Sequence, residues 1–210
     1  MTNHSKGDTF FTEFCMRSSY LIKHPERLGA PTDFSDPFGM MIRCHDYIAH
    51  HCLTLRRLAH DLQAHGADDR ARRNAAEALR YFETEGRRHY EDEECDLFPR
   101  LLNAAAARGE KKAATLIARL RSQHRDLDCS WQVVQEDLQR IVNGEDAVLS
   151  VAAVDRFDVV HSDHMRIEEE ELMPLARSLL PPAELAALGE AMAARRRMVT
   201  GDRPCMLQGS

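Results

Sequence analysis

The sequence predicts an all-α protein, an up-down-up-down four-helix bundle with an N-terminal extension and a short C-terminal helix. Three observations predict it. Four long stretches carry apolar residues three or four apart, short polar turns separate them, and no strand-like alternation lies between. Residues 1–35 form the extension, with a short helix over Phe10 to Ile22. Residues 36–180 form the bundle and 181–210 the C-terminal helix and tail.

Asp36 followed by Pro37 is the first strong start signal, an N-cap residue with proline at the first helical position. The helix that follows places Phe38, Met41, Ile42, His45, Ile48, Cys52, Leu55, Ala59 and Leu62 on one stripe and ends near Gly66. Asp68 and Asp69 cap a second helix whose stripe reads Ala75, Leu79, Phe82, Gly86, His89, Glu93, Leu97 and Leu101, closing at Gly109. The third runs from Glu110 to Val142, with His124 between Leu120 and Leu127, and stops at Asn143-Gly144. The fourth, Asp146 to Leu180, carries Phe157, His161, His164, Glu168 and Leu172 inward, and Pro181-Pro182 end it. A fifth, from Ala183 to Met198, closes on Arg195-Arg196-Arg197, which reads as a solvated basic face.

Composition narrows the function classes. The net charge of −6 lacks the basic excess of a nucleic-acid surface. The longest run free of charged residues is nine, Tyr47 to Leu55, against roughly 20 for a membrane-spanning helix. No basic-then-apolar leader opens the chain, so a cytoplasmic location is expected. The six cysteines form no C-x-x-C pair and read as reduced core thiols. Oligomeric state and protein partners leave no signal here.

Function must come from what interrupts the core. The second and fourth helices share one phrase: His89, Glu93-Glu94, Leu97-Phe98-Pro99 against His164, Glu168-Glu169, Leu172-Met173-Pro174. His45 and His124 stand on the helices that precede them, so the chain reads as two hairpins of one pattern. Residues i and i+4 share a helix face, so each His-Glu pair can reach one cluster. His45 then joins His89 on one metal, His124 joins His164 on the other, and the two glutamates fall between. Paired His and Glu projecting inward are how bundles build di-iron or di-manganese sites, and dications compensate carboxylates that would be expensive to bury alone. His161, three before His164, is open to three roles: extra ligand, hydrogen-bond partner of a ligand, or core histidine. Asp128, four after His124, could face the same metal. His50, His51, His60 and His65 read as surface residues, Trp131 and Phe98 as core aromatics, and Cys44 as packing. Glu169, Glu170 and Glu171 read as a mostly solvated run, one of which can support a ligand.

The pattern His45... His89-x3-Glu93-Glu94-x2-Leu97-Phe98-Pro99... His124... His164-x3-Glu168-Glu169 resembles the bacterial hemerythrin-like, or HHE cation-binding, domain. The resemblance implies a four-helix bundle, two non-haem irons joined by an oxo or hydroxo bridge, and ligands His45, His89, Glu93, His124, His164 and Glu168. Manganese or zinc can substitute. Oxygen-carrying members have a further histidine where this chain has Asp128, and an aspartate five residues after the last histidine where this chain has Glu168 after four. With two histidines on each iron, both metals keep an open position, which argues against oxygen carriage as the main task. The expected function is binding or sensing a small ligand (oxygen, nitric oxide) or iron and redox state, without turnover. The competing readings are a di-iron enzyme that reduces peroxide or nitric oxide or assists iron-sulfur cluster repair, and a metal store or structural-metal module. Cluster-repair relatives usually carry paired N-terminal cysteines, and none stand in residues 1 to 36.

Overall fold

Local chemistry starts and stops the helices. In the computed structural model, which describes residues 33–145 and 148–198, the Asp36 carboxylate accepts from the Gly39 amide at 3.1 Å and opens α1, Pro37–His65. Asp68 accepts from Ala71 at 2.7 Å and opens α2, a continuous rod built of Asp69–Tyr81, Phe82–Gly86, Arg87–Asp92, Glu93–Leu97 and Phe98–Ala107. Helix α3 spans Lys112–Val142, and α4 is Val151–Ile167, Glu168–Leu172 and Met173–Leu179. Helix α5 is Pro182–Arg197. Gly66, Gly109 and Gly144 follow the first three helices with φ near +70°, a conformation only glycine adopts without a Cβ penalty.

The predicted bundle is present, with no strand among the described residues. Helix α4 starts later than expected, at Val151, because Ser150 caps it by accepting from the Ala153 amide. The expected helix over Phe10 to Ile22 lies outside the described residues.

Three stretches are π-turns, Phe82–Gly86 and Glu93–Leu97 in α2 and Glu168–Leu172 in α4, and the sequence explains the last two. Buried residues His89, Glu93, Leu97, Leu101 and Ala105 recur every four positions, as do His164, Glu168, Leu172 and Ala176. In an ideal α-helix a four-residue step overshoots by about 40°, so such a stripe would wind off the core. A π-turn absorbs the excess. Pro99 and Pro174 favour the distortion because each lacks an N–H for the ordinary i to i−4 bond. The residue before each proline bonds five back instead, Phe98 N–H to Glu93 O and Met173 N–H to Glu168 O.

Helix α1 packs on α2 and α4, and α3 on the same two, closing a four-sided bundle. The core divides in two. One cluster holds Phe38, Met41, Leu97, Phe98, Leu120 and Leu172, the other Ile48, Leu55, Phe82, Leu127, Val134 and Phe157. His45, His89, Glu93, His124, His164 and Glu168 occupy the layer between them.

Three expectations need correction. The basic end of α5 is not solvated: Arg195 and Arg196 are 12% exposed and clamp onto α2. Arg195 pairs with Asp92 and with Asp96 at 2.5 Å, and Arg196 with Asp92 at 2.8 Å. Asp92 is fully buried, and burial raises its pKa against the pull of Arg196 and Arg195. Arg197 alone keeps an exposed position. His51 is buried, stacked on Tyr81 with ring centroids 4.0 Å apart, while His50, His60 and His65 are exposed. The cysteines are not uniformly reduced core thiols: Cys44 and Cys52 are buried and free, Cys129 is free but exposed on the outward side of α3, and Cys95 is disulfide-bonded.

Two outcomes follow. Replacing Arg195 and Arg196 together by alanine strands the Asp92 charge, and a loss of about 3–5 kcal/mol is expected in urea unfolding. Burial, helped by His50 and Arg80, lowers the His51 pKa to about 4, so the unfolded chain takes up a proton near pH 6.5 that the folded chain refuses until about 4. Stability therefore falls as pH falls through that window, and His51→Phe should flatten this acid limb by about 3 kcal/mol in a pH series of melts.

Candidate metal centre

Each side of the bundle contributes donors to the polar layer. Helix α1 brings His45, α2 brings His89 and Glu93, α3 brings His124, and α4 brings His164 and Glu168. All six are buried, both glutamates completely. The structure thus brings together the six residues expected from the sequence, in two overlapping groups of candidate donors. His45, His89, Glu93 and Glu168 make one; Glu93, His124 and His164 make the other, within each of which the donor atoms lie no more than 4.8 Å apart.

The distances fit cations. Two donors about 2.1 Å from one ion and at right angles stand about 3 Å apart. His45 Nε2 is 3.0 Å from Glu168 Oε2, His89 Nε2 2.8 Å from Glu93 Oε1, and His124 Nε2 2.9 Å from Glu93 Oε2. His164 Nε2 lies 3.5 Å from both Glu93 Oε2 and Glu168 Oε2. Glu93 turns one oxygen to each group, which is what a carboxylate shared by two ions must do. The Nε2 atoms of His45, His89 and His164, together with Glu93 Oε1 and both Glu168 oxygens, are buried without a hydrogen bond of ordinary geometry. Orphaned donors aimed into one space are expensive, and a pair of dications would satisfy them.

The outward nitrogens are held by two carboxylates, one from the acidic run expected to support a ligand and one given no role from the sequence. His45 Nδ1 is 2.7 Å from Glu169 Oε1 and His124 Nδ1 2.8 Å from Glu94 Oε1. Each carboxylate directly follows a donor glutamate, and each reaches a histidine on the neighbouring helix. With Nδ1–H donating, Nε2 is left with its lone pair toward the cluster. The repeated Glu-Glu doublet was the signal. His164 Nδ1 is 3.3 Å from the Gln123 side-chain oxygen.

Electrostatics couple these groups. Burial opposes the charged form of His45 and His124, but Glu168 and Glu169 around the first, and Glu93 and Glu94 around the second, raise both pKa values to about 9. His89 is likewise held well above the usual range, against its burial, with Glu93 the strongest of the groups raising it. Glu93 is pushed well below its usual range by His89, His124 and His164, despite complete burial.

The two open candidates fall outside both donor groups. His161 donates from Nδ1 to the Phe157 carbonyl at 3.1 Å and accepts from the Tyr90 hydroxyl at 2.5 Å. Burial lowers its pKa to about 3, so it stays neutral as a core histidine beside the site. Asp128 is exposed, and burial of part of its carboxyl raises its pKa. It lines a cleft of about 410 Å³ with Phe82, Arg87, Tyr90, Trp131 and Phe157. The Tyr90 ring lines this cleft, and its centroid is 4.8 Å from that of His124. Phe98 is a core aromatic as expected, whereas Trp131 is half-buried in the cleft.

Comparison with known proteins agrees with this geometry. The chain is 27% identical over 165 residues to an uncharacterized protein of Haemophilus influenzae, an alignment covering 79% of this chain and 92% of the relative. No helix among the described residues is long and apolar enough to cross a membrane. Residues 36–176 match the model of the hemerythrin HHE cation-binding domain, which takes in all four bundle helices to α4 and every donor described above, and the chain belongs to that family.

Proposed function

We propose that the chain is a non-haem di-iron protein that binds or senses a small diatomic ligand, oxygen or nitric oxide, at its metal pair. The observation that carries this reading is the pair of donor groups sharing Glu93, with buried donor atoms that lack other partners. His45 and His89 would hold one iron, His124 and His164 the other, with Glu93 and Glu168 between them. Six protein donors shared in this way give each iron about four, fewer than the six of an octahedral ion, so exchangeable positions remain for a ligand. Two such irons supply reversible electron exchange and open positions to a diatomic molecule.

The protein's own groups shape what reaches those positions. Asp128 occupies the place of the additional histidine of oxygen carriers and stands outside both donor groups, so the two halves of the site keep matching histidine counts. Tyr90 packs beside His124 on the cleft side, and the surrounding core is apolar on both ends, which favours a small, weakly hydrated ligand over a charged substrate. His45 and His124 are protonated at neutral pH in the metal-free chain and must be neutral to ligate.

Protein produced with iron should contain two irons per chain, and its diferrous form should change spectrum on rapid anaerobic mixing with oxygen or nitric oxide. No change with either gas would sink the reading, and repeated turnover with a reductant would replace it by an enzyme. Glu93→Ala removes the carboxylate common to both groups and should leave fewer than one tightly held metal per chain by elemental analysis. Metal uptake near pH 7 should release protons into weakly buffered solution, and affinity should fall as pH is lowered, because the raised imidazole pKa values place protons in competition with metal.

A further inference from the structure

The supports of the donor set follow an approximate internal twofold that relates α1 and α2 to α3 and α4. Glu169 holds His45 as Glu94 holds His124. Gln123, the residue before His124, holds His164 through its side-chain oxygen, and its amide nitrogen is anchored to Asp163 at 2.8 Å. The counterpart of His164 is His89, and the counterpart of Gln123 is the residue before His45, which is Cys44.

At that one place the pattern changes chemistry. His89 Nδ1 is buried and has no partner at ordinary hydrogen-bond geometry, although the Cys44 thiol is close enough to act on the ring. Cys44 is buried and free. Its sulfur is held in turn by Arg196 Nη2 at 3.8 Å, as Asp163 holds Gln123. Arg196 lies on α5, beyond residues 36–176 that match the family model, and is fixed by Asp92 at 2.8 Å.

We propose that the Cys44 sulfur is the positioning group for His89, in the place that the Gln123 oxygen takes for His164, and that this exchange makes the two metal positions unequal. The inference rests on the di-iron reading above. Sulfur is a larger and weaker acceptor than a carboxamide oxygen, so it orients an imidazole less firmly and raises its basicity less. The position served by His45 and His89 therefore binds its ion more weakly than the one served by His124 and His164. It is the position at which the ligand sphere changes first.

Stepwise titration of the metal-free protein with cobalt(II), followed by absorption and by the shifted imidazole N–H proton resonances, tests this. Wild type should bind two ions in separable steps. Cys44→Val, which keeps the volume and removes the acceptor, should weaken the weaker step about tenfold and shift one imidazole N–H signal, leaving the stronger step within twofold. Cys44→Ser should restore most of the loss, and Gln123→Ala should weaken the stronger step instead. Urea unfolding of each metal-free variant separates these effects from stability. Cys44→Val leaving both steps unchanged, or weakening both equally, overturns the proposal while the metal pair stands. A wild-type chain that takes up no pair of ions overturns the di-iron reading as well, so the two failures are distinct.

Discussion

Two carboxylates, Glu93 and Glu168, sit fully buried at the middle of a helical bundle, and everything around them answers that burial. An ionised carboxylate moved from water into such an interior loses several kcal/mol of solvation unless cations replace the water. Four imidazoles from four helices surround the pair, and their mutual fields hold Glu93 ionised and His45, His89 and His124 ready to carry charge. The layer ties all four helices at one level, and it splits the apolar core into two clusters that each pack as an ordinary interior. Protons can provide the compensating charge in the metal-free chain, and metal ions in the loaded one. The fold is thus designed around a charge balance whose carrier can be exchanged.

The π-turns show how backbone and site constrain each other. A regular helix would carry Glu93 and the apolar residues after it around to different faces. The turns at Glu93–Leu97 and Glu168–Leu172 restore the alignment, so the donor and the core packing below it share one side. Both turns begin on a donor glutamate, Glu93 or Glu168. A change that straightens either helix therefore acts on the donor geometry and on the core at once.

Much of this was legible in the sequence because helix periodicity and a repeated phrase are local signals. The spacing of His89 and Glu93, matched by His164 and Glu168, identified which faces meet, and the caps at Asp36 and Asp68 located the rods. What escaped was contact between neighbouring helices. Glu94 and Glu169 lie about 100° around the helix from Glu93 and Glu168. Glu94 has no role legible in the sequence, which also leaves open which of Glu169, Glu170 and Glu171 supports a ligand, yet the side chains of Glu94 and Glu169 both reach histidines of the adjacent helix. Arg195 and Arg196 read as a surface cluster because nothing local announces that Asp92 is buried opposite them. His51 looked like an exposed neighbour of His50, and only the position of Tyr81 on α2 shows why it is covered. The π-turns did have a sequence trace, in runs of four-residue steps approaching a proline.

The clamp of α5 on Asp92 also ties the outside of the bundle to its polar layer. Asp92 immediately precedes Glu93, and the guanidinium groups that balance it stand about a hundred residues later, on the last described helix. Without that helix the Asp92 carboxylate would have to keep its water, and the outer side of α2 at this level would stay open. With α5 in place the bundle is closed on that side. The last described helix thus acts as a brace on the segment that carries Glu93, and loosening its grip would act on the donor layer from outside the bundle.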